Sequence, residues 1–249
     1  MSDTLLTRTE AGVLHVTFNR PEKKNAFTHA MYTRAAEALE AAATDASVRV
    51  VLLQGAGNAF TAGNDLGDFL ENPPTGEDAP VFRFLRALVA LDKPVVAAVD
   101  GVAVGIGTTM LLHCDYVAAS ERARFALPFV NLGLVPEAAS SLLLPQVAGS
   151  ALASELLMFG EPFEAATALR AGLINRVLAP EALAAHAQER AAALAQKPAQ
   201  ALQITKRLLR TPHREAVGAA LRREGAEFVE RLGSDEAREA FMAFMSRKK

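Results

Sequence analysis

The sequence predicts an α/β fold, and three features carry that expectation: short strands rich in β-branched residues, glycine-punctuated turns that run into helices, and a purely helical C-terminal stretch. Val13-Leu14-His15-Val16-Thr17-Phe18 alternates like a half-buried strand, and Val48 to Gln54 is a β-branched run of buried-strand length. Between them Met31, Ala35, Leu39 and Ala42 recur at spacings of three or four, which predicts an amphipathic helix with Thr28 as N-cap. Pro94 to Val99 reads as the next strand. A turn through Gly101, Gly105 and Gly107 follows, then an apolar helix from Thr108 to His113 and a strand from Tyr116 to Ala119. Helices are expected over Glu137 to Val147 and Ser150 to Phe159, and Gly172 suits a helix end ahead of a short strand, Asn175 to Leu178.

From about Pro180 the pattern is helical, with Pro198 and the Thr211-Pro212 pair expected to separate successive amphipathic segments. This divides the chain into a core of residues 1–197 and a helical region of residues 198–249. Phe228, Leu232, Phe241, Phe244 and Met245 give that region apolar stripes, which must bury against its own core or another subunit. The Pro-, Gly- and acid-rich stretch from Glu71 to Pro80 reads as a surface loop.

Composition narrows the function. A chain of 249 residues with 51% hydrophobic content can bury a large core. Its net charge of -2 provides no general attraction to nucleic acid or anionic lipid. The single cysteine, Cys114, excludes an intramolecular disulfide and a multi-cysteine metal site. No apolar stretch approaches the length of a membrane span. The expectation is a cytoplasmic protein without membrane or nucleic-acid partners.

Several motifs can be set aside. Met110 stands where a dinucleotide fingerprint after Gly105-Ile106-Gly107 would need its third glycine, and no Gly-Lys-Ser/Thr follows a glycine-rich loop. His113-Cys114-Asp115 has the residue types of a nucleophilic triad, but sequence neighbours point in different directions. The five histidines include no pair at helical ligand spacing, so no metal site is expected. More informative are Ala59-Phe60-Thr61-Ala62-Gly63-Asn64-Asp65-Leu66 and the segment from Pro94 to Gly107. Each is a strand running into small residues at a turn, where backbone can approach a ligand closely and a following helix can aim free N–H groups at negative charge.

Together with Arg20-Pro21-Glu22-Lys23-Lys24-Asn25-Ala26, these segments resemble the signatures of the crotonase (enoyl-CoA hydratase/isomerase) superfamily. The resemblance continues through Cys114 to Ser120, Phe125, Leu132 to Pro136, Ala171 to Ile174 and the helical tail, covering roughly residues 10 to 249. It implies a crotonase-like spiral of ββα units with a C-terminal helical trimerisation region, assembled as a homotrimer or hexamer. It also implies an acyl-CoA thioester whose carbonyl oxygen sits between the backbone N–H groups of Asn64 and Ile106, with no cofactor beyond the coenzyme A of the substrate.

The reaction depends on the carboxylates. Hydratases of this family hold a water between two glutamates, and the matching positions here are Thr109 and Phe129. A phenylalanine accepts no proton, and a threonine hydroxyl is a poor base. One acid stands in Pro136-Glu137-Ala138-Ala139-Ser140-Ser141. With Val104-Gly105-Ile106 and Leu127-Pro128-Phe129, that segment resembles the peroxisomal type of Δ3,Δ2-enoyl-CoA isomerase, which implies Glu137 as the catalytic base. From position alone, an acid after proline in a first helical turn equally suits the helix dipole. Phe125, Leu127, Phe129, Leu132 and Val135 would surround Glu137 with apolar groups and raise its pKa.

For coenzyme A, the resemblance points to Ala62, Gly63, Asn64, Asp65 and Leu66 around adenine and pantetheine. It places basic residues, Lys23 and Lys24 beside Arg20, near the phosphates, and Phe244 and Arg247 reaching CoA from a neighbouring subunit. The alternatives are an enoyl-CoA hydratase or another thioester enzyme of this fold, and a non-catalytic acyl-CoA-binding subunit.

Overall fold

The computed structural model describes residues 3–76 and 78–246. The chain opens with a hairpin, β1 (Leu5–Glu10) and β2 (Val13–Phe18), followed by α1 (His29–Thr44), whose first turn is capped by the Thr28 hydroxyl accepting from the Met31 N–H at 3.3 Å. Next come β3 (Val50–Gly55), β4 (Ala59–Thr61), α2 (Leu66–Glu71) and α3 (Pro80–Ala90). The strand-strand-helix unit then repeats as β5 (Val95–Val99), β6 (Val102–Val104) and α4 (Ile106–Thr109), which tightens into a 3-10 turn over Met110–His113. It repeats again as β7 (Tyr116–Ser120), β8 (Arg124–Ala126), α5 (Ser140–Ala148) and α6 (Ser150–Phe159). The chain finishes with β9 (Phe163–Glu164), α7 (Ala165–Arg170), β10 (Arg176–Leu178), α8 (Pro180–Ala195), α9 (Ala199–Leu232) and α10 (Asp235–Ser246).

From β3 to β8, consecutive strands are dealt alternately to two sheets. The larger has the order β1-β2-β3-β5-β7-β10 and is parallel apart from the first hairpin; the smaller has the order β4-β6-β8-β9. Each winding therefore adds one strand to each sheet, which makes the fold a crotonase-like spiral. Both faces of the large sheet are covered, so its strands read as continuous apolar runs. Val50, Leu52, Val96 and Ala98 meet the small-residue face of α8, made by Leu183, Ala187, Ala191 and Ala195 at every fourth position. Val51, Leu53, Val95, Ala97 and Val99 point into the main core.

Three expectations are corrected. α5 begins at Ser140 and not at Glu137, because Ala138 and Ala139 both take left-handed φ, 59° and 56°, which a helix cannot contain. The expected helix from Thr108 to His113 starts earlier, at Ile106, and ends as the 3-10 turn. The Thr211-Pro212 pair does not divide the tail: α9 runs unbroken from Ala199 to Leu232. This stretch is exposed, so water can satisfy the carbonyl that Pro212 leaves without a donor, and the Thr211 hydroxyl donates to the Arg207 carbonyl at 2.6 Å. α9 is also pinned to the core, where Lys206 and Arg210 reach Asp115 at 2.7 and 3.0 Å.

Phe228, Leu232 and Phe241 of the tail are buried against their own chain, whereas Phe244 is exposed. Phe228 packs edge-on against Phe69 of α2, and Phe241 is fully enclosed. α10 lies so close to the loop before α5 that a side chain on Gly133, itself at φ +67°, would sit 2.8 Å from the Ala237 backbone. Gly133→Ala is therefore expected to destabilise the fold by about 2 kcal/mol or more. Thermal denaturation should show a drop of several degrees, and an unchanged Tm would show that α10 yields without resistance.

Candidate functional site

The first turn, Ala62-Gly63-Asn64, follows β4 and is fixed by the Arg20-to-Ala26 segment. Asn25 is fully buried at φ +57°; its amide donates to the Ala56 and Ala59 carbonyls at 2.9 and 2.7 Å, and its Oδ1 accepts from the Arg20 N–H at 2.8 Å. The Asn25 carbonyl accepts from the Thr61 hydroxyl, whose oxygen in turn accepts from the Gly63 N–H. Arg20 donates to the Ala26 carbonyl at 2.7 Å and pairs with Asp65 at 3.0 Å. Its guanidinium thus braces the turn. Asp65 is committed likewise: it also accepts from the Asp68 N–H to cap α2.

Phe27 zips onto this turn. Its N–H donates to the Gly63 carbonyl and its carbonyl accepts from the Asp65 N–H, both at 2.8 Å. Alternation along extended backbone then turns the Asn64 N–H the other way. The second turn is Gly105, at φ 55° and ψ -118°, a conformation only glycine tolerates, and it places Ile106 as the first residue of α4. Among the described residues, neither the Asn64 nor the Ile106 N–H has a hydrogen-bond acceptor. The turns touch because β4 and β6 pair in parallel. A side chain on Gly63 would lie 2.7 Å from the Val104 carbonyl oxygen, and one on Gly107 would lie 2.6 Å from the Thr61 methyl. The Asn64 side chain is held by the Tyr32 hydroxyl at 2.5 Å, a phenol kept neutral first by burial and then by the nearby Glu137.

Glu137 lies beside the second turn. Thr109, the last residue of α4, donates its hydroxyl to Glu137 Oε1, while Oε2 is buried with no partner. Burial pushes the Glu137 pKa up to about 8; the Thr109 hydrogen bond opposes this and the Glu224 carboxyl adds to it. With α5 starting three residues later, the helix-dipole account of Glu137 loses its geometry. Phe125, Leu127 and Phe129 are buried in the adjoining core, with Leu132 and Val135 packed against it.

Three participants escape sequence reasoning. Thr109 stands where a hydratase carries a carboxylate, and here it anchors the carboxylate of Glu137. His113, from the dismissed triad-like tripeptide, donates through Nε2 to the Ala138 carbonyl at 2.7 Å; burial holds its pKa near 4, so the ring is neutral. Glu224, on α9, accepts from the Ser141 N–H at 3.0 Å and from the Ser141 hydroxyl. Nothing in the charged run around Glu224 announces this, since the contact spans 83 residues.

The proposed coenzyme A residues fall into three groups. Ala62, Gly63, Asn64 and Leu66 are grouped at the first turn, and Lys23 and Lys24 are exposed beside it, the Lys24 carbonyl accepting from the Ala62 N–H at 2.9 Å. Phe244 is on α10, 40% exposed. Arg247 lies outside the described residues.

Known proteins are similar to this chain over nearly its whole length. A family model described as enoyl-CoA hydratase/isomerase matches residues 8–249. The chain is 37% identical over 253 residues to enoyl-CoA delta isomerase 2 of Homo sapiens, covering 99% of this chain but only 64% of that protein's length. It is 35% identical over 250 residues to the 2,3-dehydroadipyl-CoA hydratase of Escherichia coli (strain K12), covering 100% of this chain and 97% of the relative. A crystal structure of an enoyl-CoA hydratase/isomerase from Pseudoalteromonas atlantica T6c superposes with a TM-score of 0.94 at 44% identity, covering 98% of each chain. With the spiral, the paired glycine turns and the extent of these matches in agreement, the chain belongs to the enoyl-CoA hydratase/isomerase family.

Proposed function

We propose that this chain shifts the double bond of a 3-enoyl-CoA into conjugation, giving the 2-enoyl-CoA, with Glu137 as the one proton carrier. The observation that carries this reading is the buried Glu137 carboxyl group, with one oxygen unpartnered and the other anchored by Thr109, which stands on the same short helix that presents the Ile106 N–H. Glu137 takes a proton from C2. The C2 electrons flow toward the thioester oxygen, which the Asn64 and Ile106 N–H groups stabilise as the dienolate forms. The C3=C4 electrons then collect the same proton at C4 from the Glu137 carboxylic acid, leaving a C2=C3 bond. No water and no further cofactor enters the balance. A cavity of about 370 Å³ lies between α3 and α9, lined by Phe82, Leu85, Leu221 and Val229 together with Arg86 and Arg222, and is the proposed seat of the acyl chain.

Hydration needs a water held between two carboxylates. Phe129 supplies none, and the second carboxylate acting on Glu137, Glu224, spends one oxygen on Ser141. Product analysis separates the readings: 3-enoyl-CoA should give 2-enoyl-CoA without accumulation of 3-hydroxyacyl-CoA. A dominant hydroxy product would point to the hydratase, and no turnover of either ester would point to a binding subunit. Running the assay along a series of chain lengths reads how much of the α3–α9 cavity is used. Lys23 and Lys24 would meet the CoA phosphates, with Phe244 and Arg247 contributing across a trimer or pair of trimers. Met158, Phe159, Leu208 and Leu209, each about two-thirds exposed or more, offer apolar surface for such assembly. A light-scattering mass of three or six times 26.4 kDa is expected, and a concentration-independent monomer would exclude it.

Glu137→Gln should lower kcat on the order of 10²-fold or more while KM changes far less. In the parent, kcat/KM should rise with pH as the carboxylate forms and level off above about 8, the range to which burial pushes Glu137. A flat profile from about pH 5 upward would contradict the assignment.

The same substitution has a stability signature of known sign. Because folding raises the Glu137 pKa, its burial is tolerated best while it is protonated, and stability falls as pH climbs through about 8. Glutamine at this position has no such dependence. The difference in Tm between Glu137→Gln and the parent should therefore grow in favour of the variant between about pH 5 and pH 9, and a constant difference would contradict the buried, raised-pKa state of Glu137.

A further inference from the structure

We propose that Glu224, reaching across from α9, is a positioning residue for Glu137: it caps α5, holds the Ala138–Ala139 turn that aims Glu137, and sets a second buried carboxyl group beside it. The inference rests on Glu137 being the base. Ala138 and Ala139 are both left-handed although neither is glycine, so the turn must be held from outside. The N-cap residue of α5 is Ala139, which has no side chain to accept from the first-turn N–H groups. Glu224 takes that part from another helix, accepting from the Ser141 N–H at 3.0 Å and the Ser141 hydroxyl. His113 secures the other end at the Ala138 carbonyl.

The polar atoms left without partners point to the same place. Among the described residues, four buried side-chain atoms lack a hydrogen-bond partner, and three of them belong to this turn and its cap: Glu137 Oε2, Ser140 Oγ and Glu224 Oε2. Such groups are expensive to bury and concentrate where a structure serves something other than its own stability. The titratable and charged groups bearing on the pair are Tyr32 from α1 and Arg223 from α9 itself; His113 from the 3-10 turn touches the adjoining Ala138 carbonyl, and Lys206 and Arg210 of α9 bear on His113. Burial raises the Glu224 pKa as well, and the Glu224 carboxyl group adds to the rise that burial gives Glu137.

The test uses two variants of the full-length chain. Glu224→Gln keeps an oxygen for Ser141 but removes the acid, so the acid limb of kcat/KM should move to lower pH. The carboxyl stretch of Glu137, identified in infrared difference spectra against Glu137→Gln, should titrate lower by the same amount. Glu224→Ala removes the cap, so kcat should fall on the order of 10²-fold, as for a misplaced catalytic group, with a much smaller change in KM. If Glu137 in Glu224→Gln titrates where it does in the parent, or if folded Glu224→Ala turns over within twofold of the parent, the proposal is overturned. Should Glu224→Ala fail to fold, the titration in Glu224→Gln decides alone. Because the infrared readout needs no turnover, it separates failure of this proposal from failure of the isomerase reading, which would appear as absence of product from the parent.

Discussion

Two backbone turns lie against each other in this molecule with no side chain between them, and the rest of the site is arranged around that contact. The 2.7 Å separating a notional Gly63 Cβ from the Val104 carbonyl oxygen excludes any larger residue. Parallel pairing of β4 with β6 sets the distance, and the polar frame of Asn25, Arg20 and Thr61 fixes the angle. Donors oriented in this way need no reorganisation when negative charge develops, which is why backbone serves better here than flexible side chains. The small sheet, only two or three residues deep at each strand, exists mainly to hold these turns in register.

Next to this rigid frame sits a carboxyl group that the fold would be more stable without. Glu137 is buried, with a single hydrogen bond to Thr109, and its proton affinity is raised far above that of an exposed glutamate. In the proposed reaction, a base of that strength would match the weak acidity of a carbon beside a thioester better than an ordinary carboxylate does. The strained Ala138–Ala139 turn and the unpartnered oxygens around it belong to the same compromise, in which local instability is held in place by contacts from several elements.

The sequence was most legible where chemistry and local backbone coincide. The strands from Val13 and Tyr116, the α1 cap at Thr28 and the two glycine turns each carry their instructions within a few residues. The family resemblance could be read from such segments because spacing along the chain becomes spacing in the site. Other features were set by distant partners. The start of α5 was misplaced because Pro136-Glu137 is a good helical opening by local preference, whereas His113, Thr109 and Glu224 hold the segment out of the helix. Pro212 was read as a break because local preference omits the anchors that Lys206 and Arg210 give α9. The bracing role of Arg20 is hidden in the sequence because its partner Asp65 lies 45 residues away.

The cap that α9 places on α5 also has a consequence in time. During synthesis the glycine turns and Glu137 emerge well before Ser141 can meet Glu224, 83 residues further on. A nascent chain can thus build its paired turns while the segment bearing Glu137 is still unbraced, and only the closing helix completes the arrangement. Damage to that helix, such as proteolytic clipping in the exposed stretch around Pro212, would leave the paired turns intact with the Glu137 carboxyl group poorly aimed.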